Sequence, residues 1–135
     1  MRNLRFFLPA IGWLIITTTL LIIPGNDLPK NEFLQLIHFD KWVHIGLFCG
    51  LNFLFILGLI QKGTFSKKTF IICSIACVLY GITMEYVQKY FAFERSFDIT
   101  DILADTVGVV IGYFVAIYMY NKKIGPCRNR SRNQN

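Results

Sequence analysis

Apolar residues in this chain gather into four long runs, at about 6–23, 42–60, 70–87 and 99–120, separated by stretches where charge, proline and glycine concentrate. Each run is about 18 to 22 residues, close to the ~20 needed to cross a ~30 Å hydrocarbon core at 1.5 Å per residue. A segment in contact with lipid must satisfy its own backbone hydrogen bonds, so the runs predict four transmembrane helices. The expected fold is an all-α membrane protein, a four-transmembrane-helix bundle, with one membrane domain over residues 1–120. Between the first two runs, Pro24, Gly25 and Pro29 predict a turn or loop, and residues 30–39 predict an interfacial helix with Phe33, Leu36 and Ile37 on one face. Residues 89–97 read as a short aromatic loop carrying Arg95.

Composition agrees with this layout. Of 135 residues, 54% are hydrophobic and 16% aromatic against 16% charged, too apolar for an ordinary soluble domain. The first run follows Arg2 and Arg5 in the manner of a signal peptide, but it is long for one and no small-x-small cleavage site follows Ile23. It is therefore expected to stay as the first helix. Cys73 and Cys77 stand one helical turn apart on one helix, poor geometry for a disulfide, and read as small packing residues.

Charge gives the layout a direction. Four spans put both termini on the same side as the loop at 61–69, and that side carries ten Lys and Arg and no acid. The opposite side carries Lys30, Lys41, Lys89 and Arg95 against all eight acidic residues. Short loops rich in Lys and Arg stay in the cytoplasm, so both termini are expected to be cytoplasmic and the acidic cluster to face outward. The net charge of +6 therefore does not point to nucleic acid, since no aromatic interleaving or folded binding module accompanies the bases. Residues 121–135 form a basic cytoplasmic tail, disordered by composition, whose bases would each gain about 1 kcal/mol against anionic lipid.

The polar residues within the spans are spaced to converge. Asp98, Asp101, Asp105, Gly108 and Gly112 fall on one helical stripe, acidic at one end, with small residues permitting close helix approach at the other. Gly81, Glu85 and Gln88 form a comparable face on the third span, with Gly81 as a further packing position. Asp40 and His44 are one turn apart at the start of the second span. Ionisable groups at membrane depth are costly and mark functional sites by default. Five carboxylates, Asp40, Glu85, Asp98, Asp101 and Asp105, face Lys41 and Arg95 as the nearest cations, with His44 beside them. Such an excess calls for a proton, a cation or a cationic ligand group, because like charges at close range cannot all ionise.

Two readings follow. In the first, the cluster is a binding or catalytic site for a lipid-linked or cell-envelope ligand. Glu85 and Asp101 serve as acid and base with His44 assisting, and Lys41 or Arg95 holds an anionic head group. Asp40, Gln88, Asp98 and Asp105 complete the lining. In the second, the same residues are an interhelical network that locks a non-enzymatic scaffold or accessory protein. A proton or cation path ranks lower, because a relay needs polar groups across the whole depth. No cofactor is expected. A metal built from His44, Glu85 and an Asp also ranks low, since no His-x-x-x-His or similar spacing supports it, and no metal ligand set is assigned. His38 reads as a solvated interfacial histidine.

The motifs Asp40-Lys41-x-x-His44, Glu85-x-x-Gln88 and Arg95-x-x-Asp98-x-x-Asp101-x-x-x-Asp105-x-x-Gly108-x-x-x-Gly112, in this order, resemble the VanZ-like family of small bacterial membrane proteins. The resemblance runs from Asp40 to Gly112. It implies a multi-span fold in the bacterial cytoplasmic membrane and an envelope setting, and the founding member is linked to resistance to the glycopeptide teicoplanin. It implies no settled reaction. The chain departs from the family's usual pattern at Asp105, where Asn is common, and at Phe48, near which a Tyr is frequent.

Overall fold

The computed structural model describes residues 4–22, 39–91 and 98–132. A short 3-10 turn, Leu4–Phe7, leads into α1, Leu8–Ile22; α2 is Phe39–Gln61, α3 is Lys67–Phe91 and α4 is Ile99–Arg132. No strand occurs among the described residues. The spans Leu4–Ile22, Phe39–Gln61, Lys67–Tyr90 and Ile99–Lys122 are each long and apolar enough to cross a membrane. The loop expected at 24–29, the interfacial helix expected over 30–39 except for Phe39, and the residues His38 and Arg95 lie outside the described residues.

Several helix ends run further than hydropathy alone predicts, and between α2 and α3 capping groups rather than apolar residues set them. At the end of α2, Gly63 takes φ +90, a conformation that a side chain would strain. There the amide of Gly63 donates to the Ile60 carbonyl at 2.9 Å and that of Thr64 to the Leu59 carbonyl at 2.9 Å. This pair of bonds is a Schellman motif, which satisfies carbonyls that the helix leaves over. Ser66 then opens α3, its hydroxyl accepting from the Thr69 amide at 3.4 Å. Lys89, Tyr90 and Phe91 continue α3 where a loop is expected from the sequence. The backbone of α4 likewise stays helical through Arg132, across residues for which composition predicts an irregular tail. Extending an existing helix fixes one residue per added bond and avoids the nucleation cost.

The second helix is the centre of the bundle. It packs on α1, α3 and, most extensively, α4. Gly108 and Gly112 make that last contact possible: a Cβ on either would run into the backbone of α2, at the carbonyls of Ile45 and Cys49 respectively. Small residues at such a crossing let two backbones approach closely, where packing rather than hydrophobic transfer holds helices together in lipid. The buried core is Leu47, Phe48 and Leu51 of α2 against Leu21, Cys77, Met84 and Val109. Ile15, Ile72, Leu79, Leu103, Val107 and Phe114 point outward, the apolar surface a lipid-facing bundle requires. Trp13 is bound as well as packed, its indole N–H donating to the Leu47 carbonyl at 2.9 Å.

Candidate functional site

Alternating helix direction brings the start of α2, the end of α3 and the start of α4 to one end of the bundle, and there the ionisable side chains meet. Asp98 caps α4. Its carboxylate accepts from the Thr100 amide at 2.8 Å and from the Thr100 hydroxyl at 2.7 Å. Those bonds, with Lys41 as a further partner, hold its carboxyl down at about 2. The amide of Asp98 in turn donates to Glu85 Oε2 at 3.2 Å, tying the end of α3 to the start of α4.

Lys41 bridges α2 to α4. Its ammonium meets Asp101 at 2.8 Å and Asp98 at 3.2 Å, and also donates to the Thr100 hydroxyl. Deeper in the bundle, His44 Nδ1 and Asp105 Oδ1 are 2.8 Å apart, and both side chains are 2% exposed, so little solvent screens the pair. The partner of His44 is thus an acid on a neighbouring helix. Asp105 has room because of Gly81, where a Cβ would come within 2.7 Å of Asp105 Oδ2 and 3.1 Å of the Phe48 ring. The amide of Gln88 donates to the Leu21 carbonyl at 2.8 Å, satisfying a leftover acceptor in the last turn of α1.

Three helices thereby contribute buried groups that are only partly satisfied. His44, Glu85 and Asp105 are each no more than 2% exposed. Nevertheless His44 Nε2, Glu85 Oε1 and Asp105 Oδ2 have no hydrogen-bond partner among the described residues. Glu85 also lies within electrostatic reach of His44, Asp101 and Asp105. Asp40 is exposed at the rim. A ring nitrogen of His44 and one carboxylate oxygen each of Asp40 and Asp101 lie within 4.8 Å of one another.

The structure also places polar groups that spacing rules do not single out. Asn52, fully buried, donates to the Val109 carbonyl at 2.8 Å and to the Ser74 hydroxyl at 3.0 Å, joining α2, α3 and α4. A signal was present, since His44, Phe48 and Asn52 repeat at four-residue intervals on one face. Thr18 and Tyr80 share a hydrogen bond of 2.8 Å between α1 and α3. Thr17 is buried with its hydroxyl unpartnered among the described residues, and nothing in its sequence context marks it.

No curated protein and no solved structure matches the chain. The model of one family, described as VanZ/LLP1, does match, over residues 6–120, which reaches into all four spans and takes in every ionisable residue gathered at this end of the bundle. This multi-pass membrane protein belongs to the VanZ/LLP1 family.

Proposed function

We propose that the polar end of the bundle is an outward-facing site that binds or processes a lipid-linked or cell-envelope ligand between α2, α3 and α4. The observation that carries this reading is that His44 Nε2, Glu85 Oε1 and Asp105 Oδ2, all buried and drawn from three helices, have no hydrogen-bond partner among the described residues. Leaving a buried donor or acceptor unsatisfied costs about 1 to 3 kcal/mol, more if it is charged. A network whose whole purpose was to fasten helices would be expected to pair these groups. Surplus polar capacity is what a site keeps for its ligand. In this reading Glu85 and Asp101 are the acid and base, His44 assists, and Lys41 and Arg95 attract an anionic head group, with Asp40, Asp98 and Asp105 setting the local charge. The excess of Lys and Arg at the other end of the bundle supports the outward placement.

One group of bonds favours a second reading, a non-enzymatic scaffold. Lys41 with Asp98 and Asp101, Gln88 with Leu21, and Asn52 with Ser74 and Val109 are satisfied interhelical ties. We assign the Gln88 and Asn52 bonds to fastening, and the Lys41–Asp101 pair together with the orphaned atoms to the site. The test is complementation of a deletion strain by His44→Ala, Asp101→Asn and Arg95→Ala, scored for membrane abundance and for envelope phenotype. Normal abundance with lost phenotype is expected. A fall in phenotype that only tracks abundance would favour the scaffold.

A further inference from the structure

We propose that Asp40, His44 and Asp101 bind one first-row divalent transition-metal ion, with Asp105 as the residue that positions the imidazole. This deepens the reading of the polar end of the bundle as a working site and rests on it for the claim that the buried atoms unpartnered among the described residues await a ligand.

His44 is 1% exposed and one of its nitrogens, Nδ1, is engaged by Asp105 Oδ1 at 2.8 Å. The other, Nε2, is buried without a partner among the described residues. A carboxylate that accepts the Nδ1 proton fixes the tautomer whose Nε2 lone pair is open, and metal-bound histidines are oriented in this way. The same imidazole belongs to a group of ligand atoms that already approach within 4.8 Å, from Asp40, His44 and Asp101. Ligands about 2.1 Å from a tetrahedral ion stand roughly 3.4 Å apart, so the three atoms, already within 4.8 Å of one another, need to close by little more than about 1 Å. Lys41 meets Asp101 at Oδ1, and the ion would take the second oxygen of that carboxylate.

Charge and ligand type both fit. Two carboxylates and one imidazole suit Zn2+ or Mn2+, whereas Ca2+ asks for six to eight oxygens and Mg2+ holds mainly to water and carboxylates. Three protein ligands leave a coordination position open, as sites that handle a ligand do. A dication would also offset the excess of carboxylates over Lys41 at this end of the bundle. Spacing rules do not find such a site because they look for ligands along one helix, while Asp40 and His44 come from α2 and Asp101 from α4.

The experiment is titration of the full-length chain, purified in lipid nanodiscs and stripped with chelator, using Zn2+ and Mn2+ with Ca2+ and Mg2+ alongside. One equivalent of Zn2+ or Mn2+ should bind. His44→Ala and Asp40→Asn should each weaken it at least tenfold, and Asp105→Asn about 10- to 100-fold as a positioning residue. Asp40 is exposed, so its variant keeps the fold, which its melting temperature will verify. Wild-type affinity in folded Asp40→Asn, or Ca2+ binding as tightly as Zn2+, would overturn the metal site. If no ion binds while the complementation variants still lose phenotype at normal abundance, the metal falls and the wider site stands. If an ion binds but those variants lose only abundance, the metal site stands as a structural one and the ligand reading falls.

Discussion

Asp98 shows how much one residue does at this end of the bundle. It caps α4, holds Lys41 and places its amide on Glu85, so three helices depend on it. Hydrogen bonds from Thr100 and the charge of Lys41 hold its carboxyl at about 2, below the ordinary value of about 3.9. A carboxyl whose folded value is depressed gives stability that is complete above its unfolded value and is lost as pH falls toward the folded one. Melting temperature in detergent should therefore drop between about pH 4 and pH 2, and the drop should flatten in Asp98→Asn. Asp98→Ala should cost about 1 kcal/mol at neutral pH through loss of the cap. An unchanged acid limb in Asp98→Asn would assign the acid sensitivity to the buried carboxylates instead.

The contact between α2 and α4 is the stiffest part of the frame and is set by two glycines. Gly112→Leu would force a side chain into the Cys49 carbonyl, and overpacking of this kind costs about 1 to 3 kcal/mol. We expect a lower melting temperature and lower membrane abundance for that variant, while Gly12→Ala, at a position with open space around it, should be neutral. Much of this scale is legible in the sequence. Hydropathy located the four helices because a membrane span has to be continuously apolar, and the stripe from Asp98 to Gly112 could be read from a period of 3.6. Helix ends were less legible, since Gly63, Ser66 and Asp98 set them through hydrogen bonds that hydropathy does not record. Pairings were less legible again. Spacing along α2 places Asp40 beside His44, whereas His44 Nδ1 bonds to Asp105 of α4, a partner on another helix that spacing within one helix does not reveal.

At the scale of the whole molecule, the bundle has one end rich in acids and another rich in bases, and membrane insertion reads the bases. Reporter fusions should give active cytoplasmic reporters at both termini, and a periplasmic-type signal there would reverse the placement of the site. Satisfied bonds fasten this bundle, and in the proposed reading the buried atoms unpartnered among the described residues serve a ligand. Glu85→Gln tests it most directly, because glutamine keeps an oxygen for the Asp98 amide and removes only the carboxylate whose second oxygen stands unpartnered among the described residues. The expected result is a melting temperature equal to or above that of the wild-type protein, normal membrane abundance and lost complementation. A lowered melting temperature, with complementation falling only as far as abundance, would contradict it.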